Sequence, residues 1–157
     1  MRKLSLYMMI FGLITFTAAC DSNDDSNDAS SDADMFVGTW AVVGLADASG
    51  DRSAGLAEDY NSVVIAIAAD KSVSLSVDGK DPIPDQAYSG TSSVNESTKT
   101  LTATLTVQGQ PTPLSFTYTF MNDTTAALTA SDTTALLLGV LFQTSYANPV
   151  VFTVTKI

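Results

Sequence analysis

The sequence predicts an all-β domain: an eight-stranded antiparallel up-and-down barrel with one short helical segment before the last strand. Three observations predict it. Short runs rich in valine, threonine and aromatic residues alternate with polar residues at a period of two, as strands with one buried face require. Turn-forming pairs and proline-containing loops separate these runs at hairpin spacing. No long helical run lies between them, so neighbours in sequence pair as antiparallel neighbours in space. A meander of eight strands can close on itself and leave no free edge.

The chain has 157 residues, enough for one domain of ordinary size. Residues 1–19 form a targeting segment outside the fold. Arg2 and Lys3 precede an apolar run, Leu4–Phe16, which is shorter than the roughly 20 residues that span a bilayer. Thr17-Ala18-Ala19 follow, then Cys20, the single cysteine. This arrangement resembles a bacterial lipoprotein signal, with Thr17 where that family usually has leucine. The resemblance implies cleavage before Cys20, a diacylglycerol on its thiol and an acyl chain on its new amino group. It implies a chain lipid-anchored to a membrane of the bacterial cell envelope.

Residues 20–35 are the expected tether. Asp21–Asp34 is acidic and low in complexity, too poor in apolar residues to offset the entropy of ordering. It lacks the glycine and distal glutamate of a calcium loop, so it reads as a disordered spacer. Acidic residues directly after the cysteine also resemble the surface-export signal of Bacteroidota lipoproteins. In enterobacteria an aspartate there implies retention in the inner membrane. The outer membrane, on its surface or periplasmic face, is the expected location.

The domain is expected over residues 36–157. Phe36–Leu45 opens it, with Trp40 and Val42 on one face and Ala41, Val43 and Leu45 on the other. Asp47–Tyr60 reads as a long loop with a helical turn around Ala54–Asp59. Ser62–Ala68 is a short Val/Ile-rich run, hence a strand. In Ser72–Val77, residues Val73, Leu75 and Val77 point inward. Lys80–Asp85 carries two prolines and reads as a loop, and Ala87–Val94 is a strand anchored by Tyr88. In Thr100–Val107, Leu101, Ala103, Leu105 and Val107 alternate with threonines. Gln108–Pro113 reads as a turn. Leu114, Phe116, Tyr118 and Phe120 alternate in the next strand, and Ala126–Ala130 is a short one. Asp132–Tyr146 breaks the period of two and reads as a helical segment with Asp132 as its N-cap and Asn148-Pro149 as its stop. It is expected to be a plug, a lid or a contact surface. Val150–Ile157 is the last strand.

Charge and composition exclude several functions. Acidic residues outnumber basic ones 17 to 7, so nucleic acid is not an expected partner. The chain has no histidine, the usual general base and commonest metal ligand. Lysines flank turns and carboxylates crowd into loops, so no catalytic residue, metal site or cofactor is assigned, and the chain is not expected to be an enzyme.

Gly38-Thr39-Trp40 at the head of such a meander resembles the lipocalin G-x-W motif. The region from Phe36 to Lys156-Ile157 is similar to the lipocalin-like domains of small bacterial lipoproteins. The resemblance implies that Trp40 packs across the closed end of the barrel against a basic residue of the last strand, here Lys156 where lipocalins usually have arginine. Gly38, Trp40 and Lys156 are therefore the expected seal. Avidin-type barrels also begin G-T-W, but they line their site with several tryptophans and this chain has one. Leu105, Phe116, Tyr118 and Phe120, with Leu138 and Phe142 of the helical segment, are the candidate lining of a ligand site. The expected function is non-catalytic binding of a small apolar or amphipathic ligand by a membrane-anchored barrel. The alternative is a filled barrel acting as a structural or protein-interaction module.

Overall fold

The computed structural model describes residues 30–157. The signal segment, Cys20 and the tether as far as Ala29 lie outside them. Among the described residues the strands are β1 (Gly38–Asp47), β2 (Gly50–Asp51), β3 (Tyr60–Ile67), β4 (Ser72–Gly79), β5 (Gln86–Asn95), β6 (Thr100–Val107), β7 (Gln110–Asn122), β8 (Thr125–Ala130) and β9 (Val151–Lys156). Three short helices accompany them: α1 (Asp32–Phe36) before β1, α2 (Ser53–Asp59) between β2 and β3, and α3 (Asp132–Leu141) between β8 and β9. Consecutive long strands pair antiparallel, and β1 pairs with β9, so eight strands close an up-and-down barrel. The ninth, β2, is a two-residue ribbon on β1, with Ala46 opposite Asp51. No helix among the described residues is long and apolar enough to cross a membrane.

The alternation seen in the sequence sets the two faces of the wall. Val73, Leu75 and Val77 of β4, Leu101 and Leu105 of β6, and Leu114 and Phe116 of β7 are buried. The outward positions of β4 to β7 carry serine and threonine almost without charge, so the carboxylates sit at the two rims.

Three local details differ from the sequence reading. In β1 the register shifts between Val42 and Gly44. This bulge inserts Val43 as an extra residue, 58% exposed, and turns Leu45 and Asp47 back to the face of Trp40. A strict period of two had put Leu45 on the opposite face. Second, Pro111 and Pro113 lie inside β7, which begins at Gln110 rather than after a turn at Gln108–Pro113. Strand β8 pairs only with Phe116–Asn122, so the start of β7 has β6 on one side and no strand on the other. The Ser115 N–H and C=O both point to that open side. Residues 111 and 113 share its parity, so their proline nitrogens face a side where no ladder donor is needed. Third, Ser131 rather than Asp132 caps α3, its Oγ accepting from Thr134 N at 3.3 Å.

The packed unit also starts earlier than Phe36. Ser31 caps α1, with its Oγ accepting from Asp34 N at 3.1 Å and donating to the Asp34 carboxylate at 2.8 Å. Both bonds tie the cap side chain to the third residue of the helix. Residues 32–35, assigned to the disordered spacer by composition, are thus helical, because the cap and the burial of Phe36 hold them.

Candidate functional site

Helix α1 closes the end of the barrel where β1 begins, and its Phe36 is 1% exposed. The Phe36 ring meets Tyr118 edge-on at 4.9 Å and Phe120 at 4.8 Å, with Trp40 at 6.0 Å. The Trp40 indole N–H donates to Phe36 O at 2.8 Å, which satisfies the one polar atom of a buried indole. Trp40 and Lys156 are register partners across the β1–β9 seam. Lys156 Nζ lies 5.4 Å from the Trp40 ring centroid and donates to Met35 O at 3.2 Å. Gly38 has φ +136°, and a Cβ there would stand 2.5 Å from Lys156 Cε. Only glycine allows both the backbone angle and the close passage of the lysine stem. Gly38, Trp40 and Lys156 thus meet at one end.

Asp32 completes this end. Its carboxylate accepts from Lys99 Nζ and from the Tyr118 hydroxyl at 2.6 Å. The Lys99 hydrogen bond, then that from Tyr118, hold the Asp32 carboxyl below its ordinary value. Burial, with Asp32 beside it, pushes the Tyr118 hydroxyl well above the ordinary phenol value. Sequence reading gave no role to Asp32 and none to Phe36 beyond strand membership. The available signals were the S-x-x-D pattern of Ser31–Asp34 and the spacing of Phe36 four residues before Trp40.

The six candidate ligand residues do not form one group. Leu105, Phe116, Leu138 and Phe142 line an apolar void of about 50 Å³ at the centre of the barrel. Tyr118 and Phe120 do not reach it; they pack against Phe36 at the sealed end. Strand β7 runs from one end of the barrel to the other, so two and four residues past Phe116 its inward side chains have left the central layer.

The opposite end is covered by α2 and α3. Thr134 Oγ1 accepts from Ser115 N at 2.7 Å, and Ser131 N donates to Ser115 O at 3.0 Å, which fixes the start of α3 to the open side of β7. Ala135 and Leu138 turn into the barrel mouth and are buried, as is Phe142 just beyond. The Phe142 ring meets Tyr60 edge-on at 5.4 Å, and the Tyr60 hydroxyl donates to Phe142 O at 3.4 Å. Beside it lies a crevice of about 110 Å³ lined by Arg52, Leu56, Asp59, Tyr60, Phe142 and Tyr146. Phe142 is a wall of both spaces. Burial pushes the Tyr146 hydroxyl up to about 12.

Asp47, brought inward by the bulge, ties this end together. Its carboxylate accepts from Ser49 N at 2.8 Å, Ala147 N at 3.2 Å and Arg52 Nε at 3.1 Å. Its side chain has no exposed surface. Burial alone would raise its pKa; the Ala147 and Ser49 N–H groups and the Arg52 guanidinium outweigh it and leave the carboxyl below its ordinary value. Among the described residues no three histidine, cysteine, aspartate or glutamate side chains converge as metal ligands do. No protein-family model matches the chain, and no curated protein matches it.

Proposed function

We propose that the chain is a membrane-anchored, non-catalytic lipoprotein of the bacterial cell envelope whose barrel is filled by its own side chains and serves as a structural or protein-interaction module. The size of the interior void carries the second part of this reading. At about 50 Å³ it is a third of the volume, about 150 Å³, in which an apolar cavity holds benzene. It is far below the roughly 300 Å³ at which small-molecule pockets begin. Both ends are occupied, one by Phe36 and Trp40 and the other by Leu138 and Phe142. The anchor reading is supported by the sequence: a positive start, the apolar run Leu4–Phe16, small residues and the lone Cys20. Metabolic labelling with a palmitate analogue is expected to mark the wild-type chain and not Cys20→Ser. Labelling of the variant, or none of the wild type, would refute the anchor.

A second reading, uptake of a small apolar or amphipathic ligand, is favoured by one observation. Phe142 alone is shared between the central void and the surface crevice. An environment-sensitive naphthylamine probe separates the two readings. Wild type is expected to give no saturable fluorescence increase. Phe142→Ala, which removes the common wall and joins the two spaces, is expected to bind the probe at micromolar concentration. Saturable one-to-one uptake by wild type would establish the ligand-binding reading in place of the filled one.

A further inference from the structure

We propose that the α3 end of the barrel is a docking surface for a cationic amphipathic helix of a partner protein. The inference rests on the reading of the barrel as an interaction module and names its partner class. Leu136 and Val140 are 74% and 76% exposed and stand one turn apart on α3. They lie on the face opposite Ala135, Leu138 and Phe142, so they point out of the barrel mouth. Leu137 and Leu141 flank them and are half-buried. Helical spacing of i and i+4 is the spacing by which one helix packs along another.

The charge carried by this end of the barrel selects the partner. Asp51, Glu58, Asp59, Asp81, Asp85 and Asp132 belong to the helices and loops at this end, beside the paired Asp47 and Arg52. Lys80 is the other cation there among the described residues, and its ammonium is bound to Ala57 O. The hydroxyl-rich wall adds no compensating charge. An apolar stripe in an acidic field repels a second copy of the same end and repels an anionic lipid surface. It attracts a helix with leucines on one face and lysines or arginines beside them. Helix α1, near the start of the described residues, lies at the opposite end of the barrel from α3.

The test uses the chain from residue 20 onward carrying Cys20→Ser, with a fluorescein-labelled leucine–lysine amphipathic helix as the probe, read by anisotropy. Wild type is expected to bind one peptide per chain, more weakly as salt rises from about 50 to about 300 mM, since such fields are screened within about a Debye length. The double variant Leu136→Ser/Val140→Ser is expected to lose at least about tenfold in affinity. Val43→Ser, which removes an exposed apolar residue from the wall, is expected to lose none. Near-ultraviolet circular dichroism of the Trp40 environment reports that each variant is folded. Equal affinity of the double variant overturns the proposal, as does equal binding of a leucine–glutamate helix. A wild-type dimer in sedimentation that the double variant lacks assigns the face to a second copy instead. Probe uptake by the interior, the test of the filled barrel, reads a different surface, so the two readings fail separately.

Discussion

Phe36→Ala is expected to destabilise the domain by about 3–5 kcal/mol, the range for truncating a fully buried aromatic. The change deletes the ring on which Tyr118, Phe120 and Trp40 converge. It also loosens the Phe36 carbonyl that accepts from the Trp40 indole. Three further contacts depend on α1 staying in place: Asp32 with Tyr118, Asp32 with Lys99, and Met35 O with Lys156. Urea unfolding followed by Trp40 fluorescence is the measurement, and the native emission of the variant is expected to move to the red as water reaches the indole. If residues 31–36 were only tether, the midpoint would not move; an unchanged midpoint would therefore remove α1 from the domain.

Gly90→Ala is expected to cost at least about 3 kcal/mol, beyond the usual range for a single added methyl group. A Cβ at this position would lie 1.8 Å from Thr104 O and 2.9 Å from Leu105 Cα. Those atoms belong to the backbone of β6, paired with Gly90, so no side-chain rotation relieves the clash. The strands would have to separate at this point of the β5–β6 ladder. Gly55→Ala is the matched control. It lies in α2 with no atom within 4 Å of the added methyl, and it is expected to be neutral or stabilising by about 0.5–1 kcal/mol. Equal midpoints for the two variants would show that β5 and β6 do not approach as closely as described.

Much of the wall was legible because it depends on a local rule. A strand with one face in the core must alternate, and Leu101–Val107 and Leu114–Phe120 alternate without interruption. Where a second constraint acts, the rule fails. Pro111 and Pro113 read as turn residues because sequence does not reveal that β8 stops short and leaves that side of β7 open. Leu45 read as outward because a bulge leaves no fixed mark in composition. The spacer Asp32–Met35 read as disordered because its acidity is local, whereas its order comes from Phe36, Lys99 and Tyr118, the last two more than sixty residues away. Of the six candidate lining residues, Leu105, Phe116, Leu138 and Phe142 stand at the central void, whereas Tyr118 and Phe120, which share the parity of Phe116, stand at the sealed end. Parity gives the face of a residue; only strand tilt and register give its height.

By itself, then, the sequence determined the all-β class, the number and order of the long strands and the helical break before the last strand. These follow from periodicity and turn chemistry, read within a few residues; the pairing of Trp40 with Lys156 is an expectation carried by resemblance to the lipocalin motif. Only the tertiary structure decided what lies inside. Whether an interior is a site or a packed core depends on how side chains from distant strands interdigitate, and a difference of one phenyl ring separates the two. Here Leu138 of α3, Phe142 just after it and Phe36 of α1 enter from opposite ends and leave about 50 Å³. The volume is a sum over the whole closed barrel, and no stretch of the chain carries it alone.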